Sequence, residues 1–270
     1  MNITKVTQND CHTEFYSKAR FYDIAFSFKN VPEENQTIID LYRKHSGNDA
    51  KSFLDIAAGP ASNAIQMAQR GLKSFALDYS KEMVAYGLEK ARAAGVSLTY
   101  LQGDMRSFDF TETVDLAAIF MDSTSYLITN EDVVTHFKTV AKCLNKNGLY
   151  FLEMSHPRDV FSVGKSTITE WTERDGDVEV SVQWGNDTDV FDSIKQSTNV
   201  TAKLKYKTPS KQGEIVDQSN QRCFTFNEID ALVKLSGCFE MIDVVGSLKP
   251  GVPFSNEKSS WRMIPILKRI

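Results

Sequence analysis

A regular alternation of strand-like and helix-like segments between residues 52 and 154 is the feature that most constrains the fold. The strand-like segments are 52–57, 73–78, 97–102, 114–120 and 149–154. The helix-like segments are 33–46, 61–70, 80–94 and 130–145. Strands separated by helices of this length pack as parallel βαβ units with right-handed crossovers. The pattern therefore predicts an α/β fold with a doubly wound, mostly parallel sheet.

The pattern of apolar and polar residues changes after Pro157. Residues 166–206 alternate apolar and polar side chains, which predicts antiparallel strands. A helix at 227–236 and strands at 238–246 and 260–269 then complete a seven-stranded main sheet. We predict four regions: an aromatic and helical segment (1–48) that packs over the site of one ligand, a core that binds that ligand (49–157), an antiparallel β insertion over the site of a second ligand (158–222), and a C-terminal part of the core sheet (223–270).

Composition and charge exclude several function classes. The net charge is −4 and no basic run occurs, which argues against a nucleic-acid partner. No apolar run of 18 residues occurs, and the first residues lack the apolar stretch of a secretory signal, so we expect a cytoplasmic protein and no membrane partner. The cysteines form no CxxC pair and the histidines have no ligand spacing, so we expect no metal. The cysteines are Cys11, Cys143, Cys223 and Cys238.

The strongest ligand-binding signal is the loop after the first predicted strand, within Phe53–Pro60. Asp55 precedes the small residues Ala57 and Gly59 there, and a small-residue turn from strand to helix lets a ligand approach the backbone closely. Further candidates follow other strands: Asp78, Asp104, Met105 and Phe120. Because ligands of open α/β sheets bind at the carboxyl ends of the strands, we expect these residues to share one site.

This set of candidate residues resembles the class I S-adenosylmethionine-dependent methyltransferases. The resemblance covers about residues 50–155 and extends more weakly to 223–246. The family pattern is a strand that ends in Asp-x-Gly-x-Gly-x-Gly, which Asp55 and Gly59 match. Ala57, Pro60 and Ala61 depart from it. The resemblance implies an S-adenosyl-L-methionine cofactor, with Asp78 on the ribose, Asp104 on the adenine amino group and the backbone around Ala57 on the methionine part.

Within that family the chain looks most like small-molecule N-methyltransferases of the amino-sugar and glycine type. The shared features are Tyr22-Asp23, Gly103-Asp104-Met105 and the stretch 120–127. The resemblance implies a small-molecule methyl acceptor, and we expect Tyr16 and Tyr22 of the N-terminal segment to contact the cofactor. The oligomeric state stays open.

Two side chains are candidates for catalysis, Tyr126 after the fourth strand and His156 after the fifth. Tyr126 is placed to orient an amine, and His156 to act as a base for a hydroxyl or carboxyl acceptor. The preferred hypothesis is methyl transfer to an amine nitrogen. Two alternatives stay open: an O-methyltransferase and a non-catalytic cofactor-binding module. A nicotinamide dehydrogenase is disfavoured because no GxGxxG follows the first strand.

The predicted insertion is acidic over residues 170–192. Such a charge run is typical of a solvated face, and its alternative is a preference for a cationic substrate. The tryptophans have the same two interpretations, core packing or an apolar acceptor pocket. They are Trp171, Trp184 and Trp261.

Overall fold

The computed structural model describes residues 15–161 and 168–270. Cys11 and His12 lie outside the described residues. Two helices precede the sheet, α1 (Ala19–Ala25) and α2 (Val31–Ser46). Asn30 caps α2 by accepting a hydrogen bond from the Glu33 amide, and Gly47 ends it in the left-handed conformation.

The main sheet follows in chain order as alternating strands and helices. They are β1 (Ser52–Ile56), α3 (Ser62–Gln69), β2 (Lys73–Asp78), α4 (Lys81–Ala93), β3 (Leu98–Gln102), β4 (Val114–Ile119), a 3₁₀ helix (Ser123–Tyr126), α5 (Asn130–Cys143), β5 (Leu144–Leu152), β6 (Met154–Ser155) and the short α6 (Pro157–Val160). Strands β1 to β5 pair in parallel. Capping side chains start the longer helices, for example Ser80 at α4 and the reciprocal Thr129–Asp132 pair at α5.

An antiparallel sheet interrupts this pattern. Its strands are β7 (Thr169–Asp175), β8 (Val178–Trp184), β9 (Phe191–Asp192), β10 (Ser197–Lys207) and β11 (Gln212–Arg222). The spatial order is β11-β10-β8-β7, with β9 on β10. Valines and leucine on its inner face pack against Phe15 and α1, so the N-terminal segment and the insertion share one core. The burial of that apolar face fixes the strand register.

The chain returns to the main sheet through α7 (Phe226–Ser236), β12 (Phe239–Val245) and β13 (Arg262–Arg269). The main sheet has the order β12-β13-β5-β4-β1-β2-β3, with β6 on β13. Both faces are buried by apolar clusters beneath the flanking helices.

The structure confirms the predicted fold class: a Rossmann-like, mostly parallel α/β sheet of seven strands with an antiparallel insertion. Among the predicted helices and strands of the main sheet, one boundary differs from the prediction by more than two residues. Strand β5 begins at Leu144, directly after α5, and not at residue 149. The pairing of β4 with β5 shifts register between Val114 and Leu116, and Asn147 is left-handed with φ of 64°. Residues 144–148, which end or follow the predicted helix 130–145, therefore form an irregular strand start.

Within the described ranges, no helix is both long enough and apolar enough to cross a membrane. The same residues contain no cluster of three or more His, Cys, Asp or Glu side chains with the geometry to hold a metal ion.

Candidate functional site

A cleft opens at the carboxyl ends of β1 to β4. It lies where open α/β sheets bind ligands. Its lining residues are Tyr16, Tyr22, Ala57, Gly59, Leu77, Asp78, Tyr79, Ser80, Gly103, Asp104, Met105, Arg106, Ser123 and Tyr126.

The loop after β1 brings its backbone to the cleft surface. Ala57, Gly59 and Ala61 all have left-handed backbones, with φ of 54°, 55° and 58°. The two alanines therefore adopt a conformation in which glycine is usual. A Cβ added at Gly59 would come no closer than 3.7 Å to Tyr22. The hydroxyl of Tyr100 donates a hydrogen bond to the Gly59 carbonyl. This hydrogen bond holds the loop in place, and the side of the loop that faces the cleft stays open.

Asp78 ends β2 with its carboxylate at the cleft. One oxygen accepts the Gly59 amide at 2.8 Å and the other accepts the Ser80 amide at 2.9 Å. Burial raises the pKa of this carboxyl, and the backbone amides oppose that shift. Each oxygen keeps a lone pair, so the group can still accept hydrogen bonds from hydroxyls of a ligand.

Asp104 follows β3 and also lines the cleft, but it has a protein partner. The Arg106 guanidinium donates from Nε to its Oδ2 at 2.9 Å, and the Arg106 amide donates to its Oδ1 at 2.9 Å. The Arg106 guanidinium also lies 4.0 Å from the carboxylate of Asp132 on α5. Met105, between the two, lines the cleft. This side of the cleft therefore offers a carboxylate, a cation and an apolar side chain.

Asp55 and Phe120 lie behind the cleft surface. Asp55 accepts the Ala64 amide at 3.3 Å and so fixes the start of α3 against β1. Burial raises the pKa of its carboxyl to about 8. Phe120 is buried with the Lys29 ammonium 5.2 Å from its ring centre. Neither side chain lines the cleft, because the strand directs both toward packed helices.

Three tyrosines form the opposite side of the cleft. The hydroxyls of Tyr16 and Tyr126 are 2.6 Å apart, and the rings of Tyr16 and Tyr22 are 5.5 Å apart. Gln221 of β11 donates to the Tyr126 hydroxyl at 3.4 Å. Burial raises the pKa of both Tyr16 and Tyr22 well above the usual tyrosine range, with the neighbouring Tyr126 adding to each shift. Both phenols therefore keep their protons at neutral pH.

A strained turn carries Tyr126 to this place. Met121 and Asp122 have consecutive left-handed backbones, with φ of 53° and 59°. Glu153 holds the turn, since its carboxylate accepts the Met121 amide at 2.9 Å and its carbonyl accepts the Asp122 amide at 3.0 Å. Arg262 of β13 pairs with Glu153 at 3.1 Å. Strain of this kind is concentrated at functional sites, and here it directs the 3₁₀ helix into the cleft.

The structure does not bring His156 to the cleft. The side chain is 3% exposed and caps α6 by accepting the Arg158 amide at Nδ1, 3.1 Å away. Nε2 lies 3.1 Å from the Ser255 carbonyl, which can only accept, so this nitrogen carries the hydrogen and donates it. Both ring nitrogens are thus used by the backbone.

The tryptophans and the acidic residues of the insertion also lie outside the cleft lining. Trp171 donates to the Ala25 carbonyl at 2.6 Å, and Trp184 packs edge-on against Phe15 at 5.9 Å. Trp261 donates to Ser247 at 3.0 Å. The acidic side chains serve ion pairs and turns, as in Arg174–Glu179 and in Asp192, which accepts the amides of residues 194 and 195.

Sequence reasoning missed several residues that line the cleft. They are Leu77, Tyr79, Ser80, Arg106 and Ser123. Four of them are immediate neighbours of a predicted residue or follow a predicted strand end, so proximity to Asp78 and Asp104 was the available signal. The sequence contained no signal for Gln221, because this residue comes from a strand distant in the chain.

Residues 53–148 match the family model described as a methyltransferase domain. The match runs from β1 into β5 and includes the loop after β1, Asp78, Asp104 and Tyr126. The protein YqeM of Bacillus subtilis, which carries a provisional methyltransferase name, is 29% identical over 133 residues, which are 49% of this chain and 52% of that protein. The chain spans about half the length of the curated relatives that it matches.

Solved methyltransferases share the fold over nearly the whole chain. An S-adenosylmethionine-dependent methyltransferase from Clostridium acetobutylicum superimposes with a TM-score of 0.76 at 18% identity, over 93% of this chain and 96% of that one. The sugar N-methyltransferase KedS8 from a Streptoalloteichus species has a TM-score of 0.73 at 17% identity, over 100% and 98%. Residues 53–148 are therefore similar to a methyltransferase domain, and the fold is that of solved methyltransferases.

Proposed function

We propose that this protein is an S-adenosylmethionine-dependent methyltransferase that methylates an amine nitrogen of a small molecule. The observation that carries the proposal is the Asp78 carboxylate, fixed in the cleft by the Gly59 and Ser80 amides beside the open backbone of the loop after β1. A methyltransferase domain over 53–148 supports the reaction class.

The cleft fits the parts of this cofactor. Asp78 can accept hydrogen bonds from both ribose hydroxyls. Leu77 and Met105 offer apolar contact to a base, with Asp104 at its edge. The methionine part can lie against the open backbone at Ala57 and Gly59. The bound cofactor supplies a sulfonium whose methyl group needs no further activation.

The charges of the cleft suit a cationic ligand. Asp78 and Asp104 line it. Arg106 is the one cation among the described lining residues, and it is paired with Asp104. The excess of carboxylates favours a positively charged sulfonium over neutral ligands of similar shape.

The tyrosines favour an amine acceptor. Tyr16 and Tyr22 keep their protons, so neither can act as a base at neutral pH. The described lining residues include no histidine or lysine. A neutral amine would attack the methyl carbon through its own lone pair as the carbon–sulfur bond breaks and S-adenosylhomocysteine is released. The ammonium product would lose its proton to solvent afterwards, so the amine needs alignment and exclusion of water more than a base. Tyr126, Tyr16 and Gln221 can supply that alignment by hydrogen bonds.

A binding experiment tests the cofactor. We expect calorimetry to detect micromolar binding of S-adenosylmethionine and S-adenosylhomocysteine, and none of NAD. Asp78→Ala should weaken that binding by about 1–3 kcal/mol, because charge-assisted hydrogen bonds to hydroxyls are lost.

Asp115→Ala is the matched control for that variant. Asp115 also accepts backbone amides, those of Lys51 and Ser52. It lies near the amino end of β4, whereas the cleft is at the carboxyl ends of the strands. Its loss should leave the affinity unchanged. Unchanged affinity in Asp78→Ala would remove Asp78 from the site, and absent binding in the unaltered protein would refute the proposed cofactor.

A methyl-transfer screen tests the acceptor. Radiolabelled S-adenosylmethionine is incubated with amino sugars, glycine and the matched sugars that carry a hydroxyl in place of the amine. Transfer to the amines alone supports the proposal, with a rate that rises with pH and then levels off as the amine deprotonates. Transfer to the hydroxyl compounds would favour the O-methyltransferase alternative. Cofactor binding without any transfer would favour the non-catalytic module.

A further inference from the structure

His136 is a fully buried histidine of α5 that lies behind the cleft and does not line it. Its Nδ1 is 2.7 Å from the Met105 carbonyl oxygen, and its Nε2 is 2.8 Å from the Tyr150 hydroxyl oxygen. Because a carbonyl can only accept, Nδ1 carries the hydrogen and donates it. Nε2 is then the acceptor for the Tyr150 hydroxyl, so the two bonds specify one tautomer.

The pair stays neutral over the working pH range. Burial lowers the pKa of His136 to about 4 and raises the pKa of Tyr150 well above the usual tyrosine range. Neither group changes its protonation state near neutral pH, so the imidazole acts as a fixed donor toward Met105.

Helix α5 holds the cleft segment 103–107 from behind through one of its faces. His136 bonds the Met105 carbonyl, and Thr139 donates to the Arg106 carbonyl at 3.2 Å. Asp132, one turn earlier, lies 4.0 Å from the Arg106 guanidinium. Residues spaced three and four apart share a helix face, so the three contacts act together on the segment that carries Asp104, Met105 and Arg106 into the cleft.

We propose that His136 is a positioning residue that sets ligand affinity by fixing the Met105 carbonyl, with Tyr150 holding the imidazole in the required tautomer. The inference rests on the proposed function for the identity of the ligand. Loss of the imidazole donor leaves the part-buried Met105 carbonyl without this partner, which favours displacement of the segment toward water or another donor. Such a displacement moves one side of the cleft while the rest of the fold is retained.

Calorimetry with S-adenosylhomocysteine on the full chain tests the proposal. His136→Leu should weaken binding about tenfold, as expected when one positioning hydrogen bond is lost. His136→Asn keeps an N–H donor near the place of Nδ1 and should stay within about threefold of the unaltered protein. Val140→Ala is the matched control, since Val140 is buried in the core on the same helix. It should lower the melting temperature and leave the affinity unchanged.

Amide hydrogen exchange gives a second measurement that does not depend on the ligand. Residues 103–107 should exchange faster in His136→Leu than in Val140→Ala, at temperatures equally far below each melting point. If His136→Leu does not fold, Tyr150→Phe takes its place, because it removes the hydroxyl that fixes the tautomer.

The outcomes separate the two proposals. If the unaltered protein does not bind S-adenosylhomocysteine, the proposed function fails, and the exchange measurement alone decides the role of His136. Equal affinity and equal exchange in His136→Leu and the unaltered protein would overturn the positioning role. So would a loss in Val140→Ala as large as in His136→Leu, because stability and not position would then be the cause.

Discussion

The two sides of the cleft are built in different ways. The strand-end wall consists of Ala57, Gly59 and residues 77–80 and 103–106, which end or follow parallel strands. The tyrosine wall consists of Tyr16, Tyr22, Ser123 and Tyr126, supported by Gln221. Its parts come from the N-terminal segment, the strained turn after β4 and the insertion. One wall is a local consequence of the α/β pattern, and the other exists only when three distant segments meet.

The difference suggests a division of labour. The strand-end wall offers backbone groups and carboxylates that suit a cofactor common to many enzymes. The tyrosine wall offers side chains from segments outside the core sheet, which can change with the acceptor while the core sheet stays the same. Variants that weaken one wall and leave the other intact test this division.

The largest effect is expected at the support of the tyrosine wall. Glu153→Gln leaves the Arg262 guanidinium without its buried counter-charge and loosens the strained turn, so we expect a loss of about 3–5 kcal/mol in the free energy of unfolding, measured with urea. S-adenosylhomocysteine affinity should change less than the methyl-transfer rate, because the strand-end wall is retained.

The exposed Arg174–Glu179 pair of the insertion is the control for this prediction. Its side chains are 72% and 37% exposed, so Glu179→Gln should cost at most about 1 kcal/mol. Combining Glu153→Gln with Arg262→Met should recover part of the loss, since no charge is then left unpaired. A loss no larger than that of Glu179→Gln would show that the turn does not depend on the buried pair.

Much of the strand-end wall could be predicted from the sequence, because its positions depend on local order along the chain. Asp78, Asp104 and Gly59 were all found from strand ends. Asp55 and Phe120 share that local signal but lie behind the surface, since position on a strand does not tell which face a side chain takes. The Arg106 partner of Asp104 was missed, although it is two residues away.

The tyrosine wall could be predicted only where the family resemblance reached it. Tyr16, Tyr22 and Tyr126 were candidates and line the cleft. Gln221 had no signal, because the register of β10 and β11 decides its place. His156 and His136 show the same limit. His156 was a candidate base and His136 had no ligand spacing, but tertiary contacts place His156 at a helix cap and His136 behind the cleft.

A smaller effect is expected at the hydroxyl of Tyr126. Tyr126→Phe removes the bond to Tyr16 and the acceptor for Gln221, so alignment of an amine acceptor suffers while bond formation does not. The transfer rate should fall by roughly ten- to a hundredfold, or about 1.4–2.8 kcal/mol. Tyr86→Phe is the control, since Tyr86 bonds Asp23 outside the cleft lining. An unchanged rate, or an equal loss of cofactor affinity, would contradict the assignment of Tyr126 to the acceptor side.

The smallest effect is expected in the loop after β1, where alanine and glycine adopt the same left-handed conformation. Ala57→Gly removes about 1–2 kcal/mol of backbone strain. It also adds conformational entropy to the unfolded chain worth about 0.4–1 kcal/mol, so the free energy of unfolding should rise by about 0–1.6 kcal/mol. Gly59→Ala reverses both terms at a φ of 55°, and its Cβ meets Tyr22 only at the ordinary distance of 3.7 Å, so it should lose a similar amount. Urea unfolding gives both values. Cofactor affinity should hold in Ala57→Gly, because a ligand that lies on this backbone gains space, and a marked loss there would mean that the Ala57 methyl group itself contacts the ligand.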